Sequence, residues 1–216
     1  MLKTISNLSL CALLVLFISW PVGGQEAGTS KPAAQQPSNV QELLACLERA
    51  AADLQDYTVT GTTEAHGKKQ TFKMAFKRPH FVRIDTPDGQ VAVQPNSEIK
   101  GRLGHGPLGK IAQTLGRRDK RLQDAEGIPF YESDFVSMLA RVQAQIKGGA
   151  AAAMQASATS YLLEIRSGDT AWKYRLAKSD FSLQESSRWV NGKQAEITRY
   201  ADFHANTGIK TAFFRF

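Results

Sequence analysis

"QTFKMAFKRPHFVRIDTPDGQVAV", residues 70–93, holds three short runs separated by two turn signals. In the first run Phe72, Met74 and Phe76 alternate with Thr71, Lys73, Ala75 and Lys77, the period-two pattern of a strand with one apolar and one wet face. "RPH" and "PDG" are turn chemistry, and "FVRIDT" and "QVAV" resume the strand pattern after them. Strands this close in sequence can pair only as antiparallel neighbours, so the stretch is a meander.

The same pattern extends outward. "YTVTGTTEA" (57–65) precedes it across a "HGKK" turn, and "SEIKGR" (97–102) follows it. Before these strands, "SNVQELLACLERAAADLQDY" opens with a Ser-x-x-Gln capping box, Ser38 and Gln41. Val40, Leu43, Leu44, Leu47, Ala51 and Leu54 then recur at helical spacing. Cys46 sits within this helix and reads as a small packed residue.

Upstream, residues 1–24 carry Lys3, an apolar run from Leu8 to Trp20 and small residues before Gln25, which reads as a cleaved signal peptide and an exported, periplasmic protein. Residues 25–37, polar and Pro-containing, read as a flexible tether, leaving 38–216 as one domain. With Cys11 inside the leader, Cys46 has no intramolecular disulfide partner. The chain has 27 Lys and Arg against 20 Asp and Glu, and a formal net charge of +7. The basic residues are scattered, so the balance favours anionic partners such as lipid headgroups and gives no nucleic-acid signature.

Downstream of the meander, "GHGPLG" (104–109) matches G-x-G-x-x-G. That fingerprint holds a pyrophosphate only in the first βαβ unit of a parallel sheet, and here it leaves an antiparallel meander, so it reads as a hinge and no cofactor is expected. "GPLGKIAQTLGRR" (106–118) permits a short helix, and "YESDFVSMLARVQAQIKGG" (131–149) a longer one stopped by Gly148 or Gly149. The Ala-rich 150–160 reads as more helix or a connector. Strands resume through "TSYLLEIR", "TAWKYRLA", "QESSRWV" and "KQAEITRYADF", with Asn191-Gly192 as a hairpin turn and "IKTAFFRF" (209–216) as a last strand. The expected class is α+β: a curved antiparallel sheet of about ten strands, an incomplete barrel covered by an N-terminal helix and central lid helices.

Catalytic signatures are missing from the sequence. His66, His80, His105 and His204 stand apart, and neither H-E-x-x-H, Cys-x-x-Cys nor G-x-S-x-G occurs, so neither a metal site nor an enzyme is expected. The residues expected to line one side of the sheet are Phe72, Met74 and Phe76, then Val82 and Ile84, then Val91 and Val93, and beyond the helices Trp172 and Tyr174, with Leu176, Ile197 and Phe213. Such a wall is either core or the lining of a cavity able to take an acyl chain.

Three stretches, "LQDYTVTGT" (54–62), "FKMAFKRPHFVRIDTPDGQVAV" (72–93) and "GKQAEITRYADFHANTGIKTAFFRF" (192–216), resemble the LolA-like outer-membrane lipoprotein-sorting carriers. The resemblance implies a half-barrel whose interior shelters the acyl chains of a lipoprotein or lipid, without catalysis or cofactor. By its Lys-Arg-Pro motif it implies that Arg78, between Lys77 and Pro79, latches the helical lid. The central segment and the stop at Phe216, without the carriers' C-terminal extension, depart from that family. The expectation is a monomeric periplasmic lipid or lipoprotein carrier in transient contact with envelope membrane proteins. A partner-binding or envelope-sensing module on the same fold, then a hydrolase, are the alternatives.

Overall fold

Every strand pairing but one, at the sheet's centre, joins neighbours in sequence. In the structure, a computed structural model that describes residues 36–95, 99–103, 111–123 and 129–216, eleven strands form one antiparallel sheet. β1 (Asp56–Ala65), β2 (Lys68–Lys77), β3 (Phe81–Thr86), β4 (Gly89–Val93), β5 (Ile99–Leu103) and β6 (Gln113–Leu115) make one meander. β7 (Ala151–Ala156), β8 (Ser160–Ser167), β9 (Thr170–Ala177), β10 (Leu183–Val190) and β11 (Lys193–Ala205) make the other. Pairing of β1 with β11 joins them, in the order β6-β5-β4-β3-β2-β1-β11-β10-β9-β8-β7. The signal peptide, nearly all of the tether, and the "GHGPLG" hinge lie outside the described residues.

The tight turns follow their residues. His66-Gly67 (φ 51° and 72°) closes β1–β2, and Asn191-Gly192 (φ 51° and 73°) closes β10–β11. Two successive left-handed residues match the strand twist, which is why His or Asn, both tolerant of positive φ, followed by Gly occupies each turn. In β11 an extra residue around Asp202 (φ 53°) breaks the register between Thr58 and Thr60. This bulge bends the sheet and brings Phe203 against Tyr57, their ring centres 5.2 Å apart.

Among the described residues two helices cover the inner face. α1 (Val40–Asp53) buries Leu43, Leu44, Leu47 and Ala51, with Cys46 also buried and unpaired. Its cap is displaced by one residue from the expected Ser38–Gln41 box. Asn39 accepts from the Glu42 amide at 3.0 Å, while the Glu42 carboxylate accepts from the Ser38 amide at 2.8 Å. Asn is as good an N-cap as Ser, and only this register puts the carboxylate at the third helical position. α2 (Phe135–Lys147) buries Phe135, Met138, Leu139 and Val142, and ends at Gly148 and Gly149 (φ 92°).

Three further expectations are corrected. The Ala-rich 150–160 is neither helix nor connector but chiefly edge strand β7, because pairing with β8 outweighs the helix propensity of alanine. The short helix expected over 106–118 is, where described, the three-residue strand β6. "IKTAFFRF" forms no strand: Thr211–Phe214 is a 3₁₀ turn that buries Phe214 against Phe81, outside β3.

Candidate functional site

Cross-strand register turns the alternating sequence into rows. Tyr57, Phe76, Val82 and Val93 stand opposite one another across β1–β4 and form the row nearest α1 and the start of α2. Phe76, Val82 and Val93 are each 1% exposed and are packed core. The next rows, Val59–Met74–Ile84–Val91 and then Gly61–Phe72 beside Thr86–Gly89, run toward the hairpin tips, where among the described residues no helix fills the concavity. A cavity of about 710 Å³ opens there between the sheet and the first turns of α2.

Phe72, Met74, Ile84 and Val91 form its wall on one wing and Trp172 and Tyr174 on the other, while Met138 closes it from α2. Of the twelve residues expected on that side of the sheet, Phe72, Met74, Ile84, Val91, Trp172 and Tyr174 front the cavity, and Phe76, Val82 and Val93 lie one row deeper in the core. Leu176 is fully buried outside the cavity wall. Ile197 and Phe213 do not belong to this wall. Ile197 alternates with Glu196 and Thr198, which face the cavity, and so points to the other side. Phe213 lies against the Arg83 guanidinium, 4.8 Å from its ring centre, and Arg83 alternates with inward-facing Val82 and Ile84.

Gly61 permits one wall to form. A Cβ there would lie 2.2 Å from Phe72 Cζ, so the Phe72 ring lies flat over the bare backbone of β1. A second, more open hollow of about 550 Å³ over Thr60, Thr62, Thr71 and Lys73 has fewer bulky apolar side chains.

Sequence periodicity missed the polar members of the cavity. Thr63, Ser186, Thr198 and Tyr200 line it, with Thr63 Oγ1 and Thr198 Oγ1 2.8 Å apart and Ser186 Oγ 3.3 Å from Tyr200 Oη. Arg141 reaches it from α2, three residues beyond Met138. The signal was present as i, i+3 spacing on the helix's inner stripe, where an Arg among apolar residues is unexpected.

The cover is held at two points. Phe135 N–H at the start of α2 donates to Tyr57 Oη at 2.9 Å, and fully buried Asp134 caps the helix by accepting from Val136 and Ser137 amides at 2.9 and 3.0 Å. Arg78 meets α1 rather than α2: its Nε donates to Leu54 O at 2.9 Å and its Nη2 to Ala51 O at 2.6 Å.

All five tyrosines titrate high. Burial pushes Tyr57 well above the usual phenol range and the Asp134 carboxylate adds to it; burial pushes Tyr174 up to about 12 and raises Tyr131, Tyr161 and Tyr200. A phenol raised in the folded state contributes stability that is fully present below its unfolded pKa of about 10 and is lost as pH climbs through the folded values. Near-ultraviolet tyrosinate absorbance should therefore stay low at pH 10 and rise together with loss of ellipticity above it. A full tyrosinate signal at pH 10 from folded protein would contradict this burial.

Among the described residues no group of three His, Cys, Asp or Glu side chains is placed to hold a metal, and no helix is long and apolar enough to cross a membrane. No family model matches the chain, and no curated protein matches it. Solved structures do. An uncharacterized conserved protein from Thermus thermophilus superposes with a TM-score of 0.52 at 11% identity, over 82% of this chain and 93% of that one. The MucA/MucB complex of Pseudomonas aeruginosa gives 0.46 at 14% identity over 80% of this chain, which spans only 60% of its counterpart. The LolA superfamily protein NE2245 from Nitrosomonas europaea gives 0.38 at 9% identity, over 83% and 98% of the two chains. At these identities the Thermus protein shares the fold, an open, curved antiparallel sheet covered on one side by helices.

Proposed function

We propose that this chain is an exported, periplasmic, non-enzymatic carrier that shelters the acyl chain of a lipid or lipoprotein between its sheet and α2, with Arg78 holding the cover through α1. The observation that carries the reading is the cavity of about 710 Å³ walled by Phe72, Met74, Ile84, Val91, Trp172 and Met138. That volume is typical of ligand sites, and its wall is apolar where the rows leave the helices. Each methylene withdrawn from water contributes about 0.8 kcal/mol, so half an acyl chain offsets a substantial opening cost. The leader-like residues 1–24 and the resemblance of the "KRP" meander to lipoprotein-sorting carriers support the location and the class of cargo.

Organic extraction of the chain purified from a bacterial periplasm, followed by mass spectrometry, tests it. A near-stoichiometric acylated species is expected, together with uptake of a fluorescent fatty acid by delipidated protein. A clean extract and no uptake would reduce the apolar wall to ordinary core and end the carrier reading.

A further inference from the structure

Arg141 is a cation without an ion-pair partner of its own among the described residues, in a cavity that Asp88 and Glu196 also line. It is half-buried on α2, and its Nη1 donates to Glu132 O at 2.9 Å. No acidic side chain among the described residues pairs with it. A guanidinium has five N–H groups, and leaving most of its charge uncompensated beside an apolar wall is costly.

Opposite α2, the register of β9, β10 and β11 sets Tyr174 against Ser186 and Ser186 against Thr198. All three line the same cavity as Arg141, and Tyr200 joins them through Ser186. The belt therefore offers several O–H donors and the Arg141 guanidinium, bordered by Phe72 and Met74, with Arg188 and Glu196, each engaged elsewhere, lining the same cavity. The two phenols sense the cation: the Arg141 charge draws Tyr174 and Tyr200 down against the larger upward push of burial. Both stay protonated, and so remain donors, across the working pH range.

We propose that Arg141, with Tyr174, Ser186 and Tyr200, forms an oxyanion site that fixes the head of a singly anionic, single-chain amphiphile whose tail lies on Phe72, Met74 and Ile84. This rests on the lipid-binding reading above and narrows its ligand class to acids. A carboxylate or phosphate head accepts from the guanidinium in the paired geometry that Arg favours, and the charge-assisted bonds form away from bulk water.

Isothermal titration of delipidated protein with oleate, oleyl phosphate, oleyl alcohol and inorganic phosphate is the test. Oleate or oleyl phosphate should bind at least about tenfold tighter than oleyl alcohol, the scale of a charged hydrogen bond, and Arg141→Gln should erase that preference while Arg141→Lys keeps part of it. Tyr200→Phe, which leaves the Arg141–Glu132 contact in place, should narrow the preference about threefold. It carries the test if Arg141→Gln lowers the folded fraction.

Equal affinity for acid and alcohol, or a preference unchanged in both variants, would overturn the oxyanion site while leaving a lipid cavity. Phosphate binding without either lipid would overturn the amphiphile and leave a free-anion site. Absence of all binding would end the carrier reading itself.

Discussion

Asp56→Ala should lower the melting temperature by about 10 °C, the effect expected of losing roughly 3–4 kcal/mol in a domain of this size. Asp56 is 2% exposed and begins β1, just beyond α1. One carboxylate oxygen accepts from the Thr207 and Gly208 amides at 2.8 and 3.2 Å and from the Thr207 hydroxyl at 3.1 Å. The other accepts from the Ile209 amide at 3.1 Å. Lys77 stands 3.9 Å away. These donors come from the segment after β11, which turns through Asn206 (φ 54°) and Gly208 (φ 74°) and returns to the start of β1. Alanine leaves three amides without their acceptor in a part-buried turn, whereas each bond to a charged acceptor contributes about 1.5–3 kcal/mol with incomplete additivity. Asp56→Asn should cost about half as much, since its amide group presents donors to the Ile209 N–H and to Lys77. A thermal melt of the two variants decides the matter. A shift under 2 °C for Asp56→Ala would mean that water replaces the carboxylate without loss.

That node marks the limit of what the sequence shows. The meander of residues 70–93 was legible because Phe72, Met74, Phe76, Val82 and Ile84 all obey the period of a half-buried strand, and because "RPH" and "PDG" name their own turns. The α2 stripe was equally legible. The tail was not: "IKTAFFRF" has strand composition, yet its first amide, Ile209 N–H, is taken by Asp56, distant in sequence, and Phe214 is taken by a pocket outside β3. The Ala-rich edge strand fails for a related reason, since local propensity favours helix and only the neighbouring strand says otherwise. For the cavity, alternation identifies which side of the sheet a residue faces but not how far along the strand the helices reach. Phe76 and Phe72 are therefore equivalent in sequence, although one is core and the other wall. Arg141, Ser186 and Tyr200 come together only through the register of three strands and the docking of a helix.

Arg78→Leu should loosen α1 selectively, and it tests whether the cover of the sheet is held from the β2–β3 turn. A helix ends with carbonyls that lack partners and with the negative end of its dipole, and α1 has no basic residue in its last turn to answer either. Arg78 supplies both from outside, donating to Ala51 O and Leu54 O. Losing two charge-assisted bonds at a half-buried site should cost about 2 kcal/mol, or roughly a 30-fold faster exchange of the α1 amides in hydrogen–deuterium exchange. Exchange in β8 and β9, on the far wing, should change much less, because α1 opens as a local unit. If α1 is a gate, delipidated Arg78→Leu also takes up a fluorescent fatty acid faster than the parent chain, and releases it faster. Arg78→Lys keeps the charge but not the fork that spans two carbonyls, so it should fall between the two. Unchanged α1 exchange in Arg78→Leu would show that the helix is held by its apolar face alone. Faster exchange with unchanged uptake would leave Arg78 as a structural clasp and place the cavity's entrance elsewhere, at the open hairpin tips beyond Phe72.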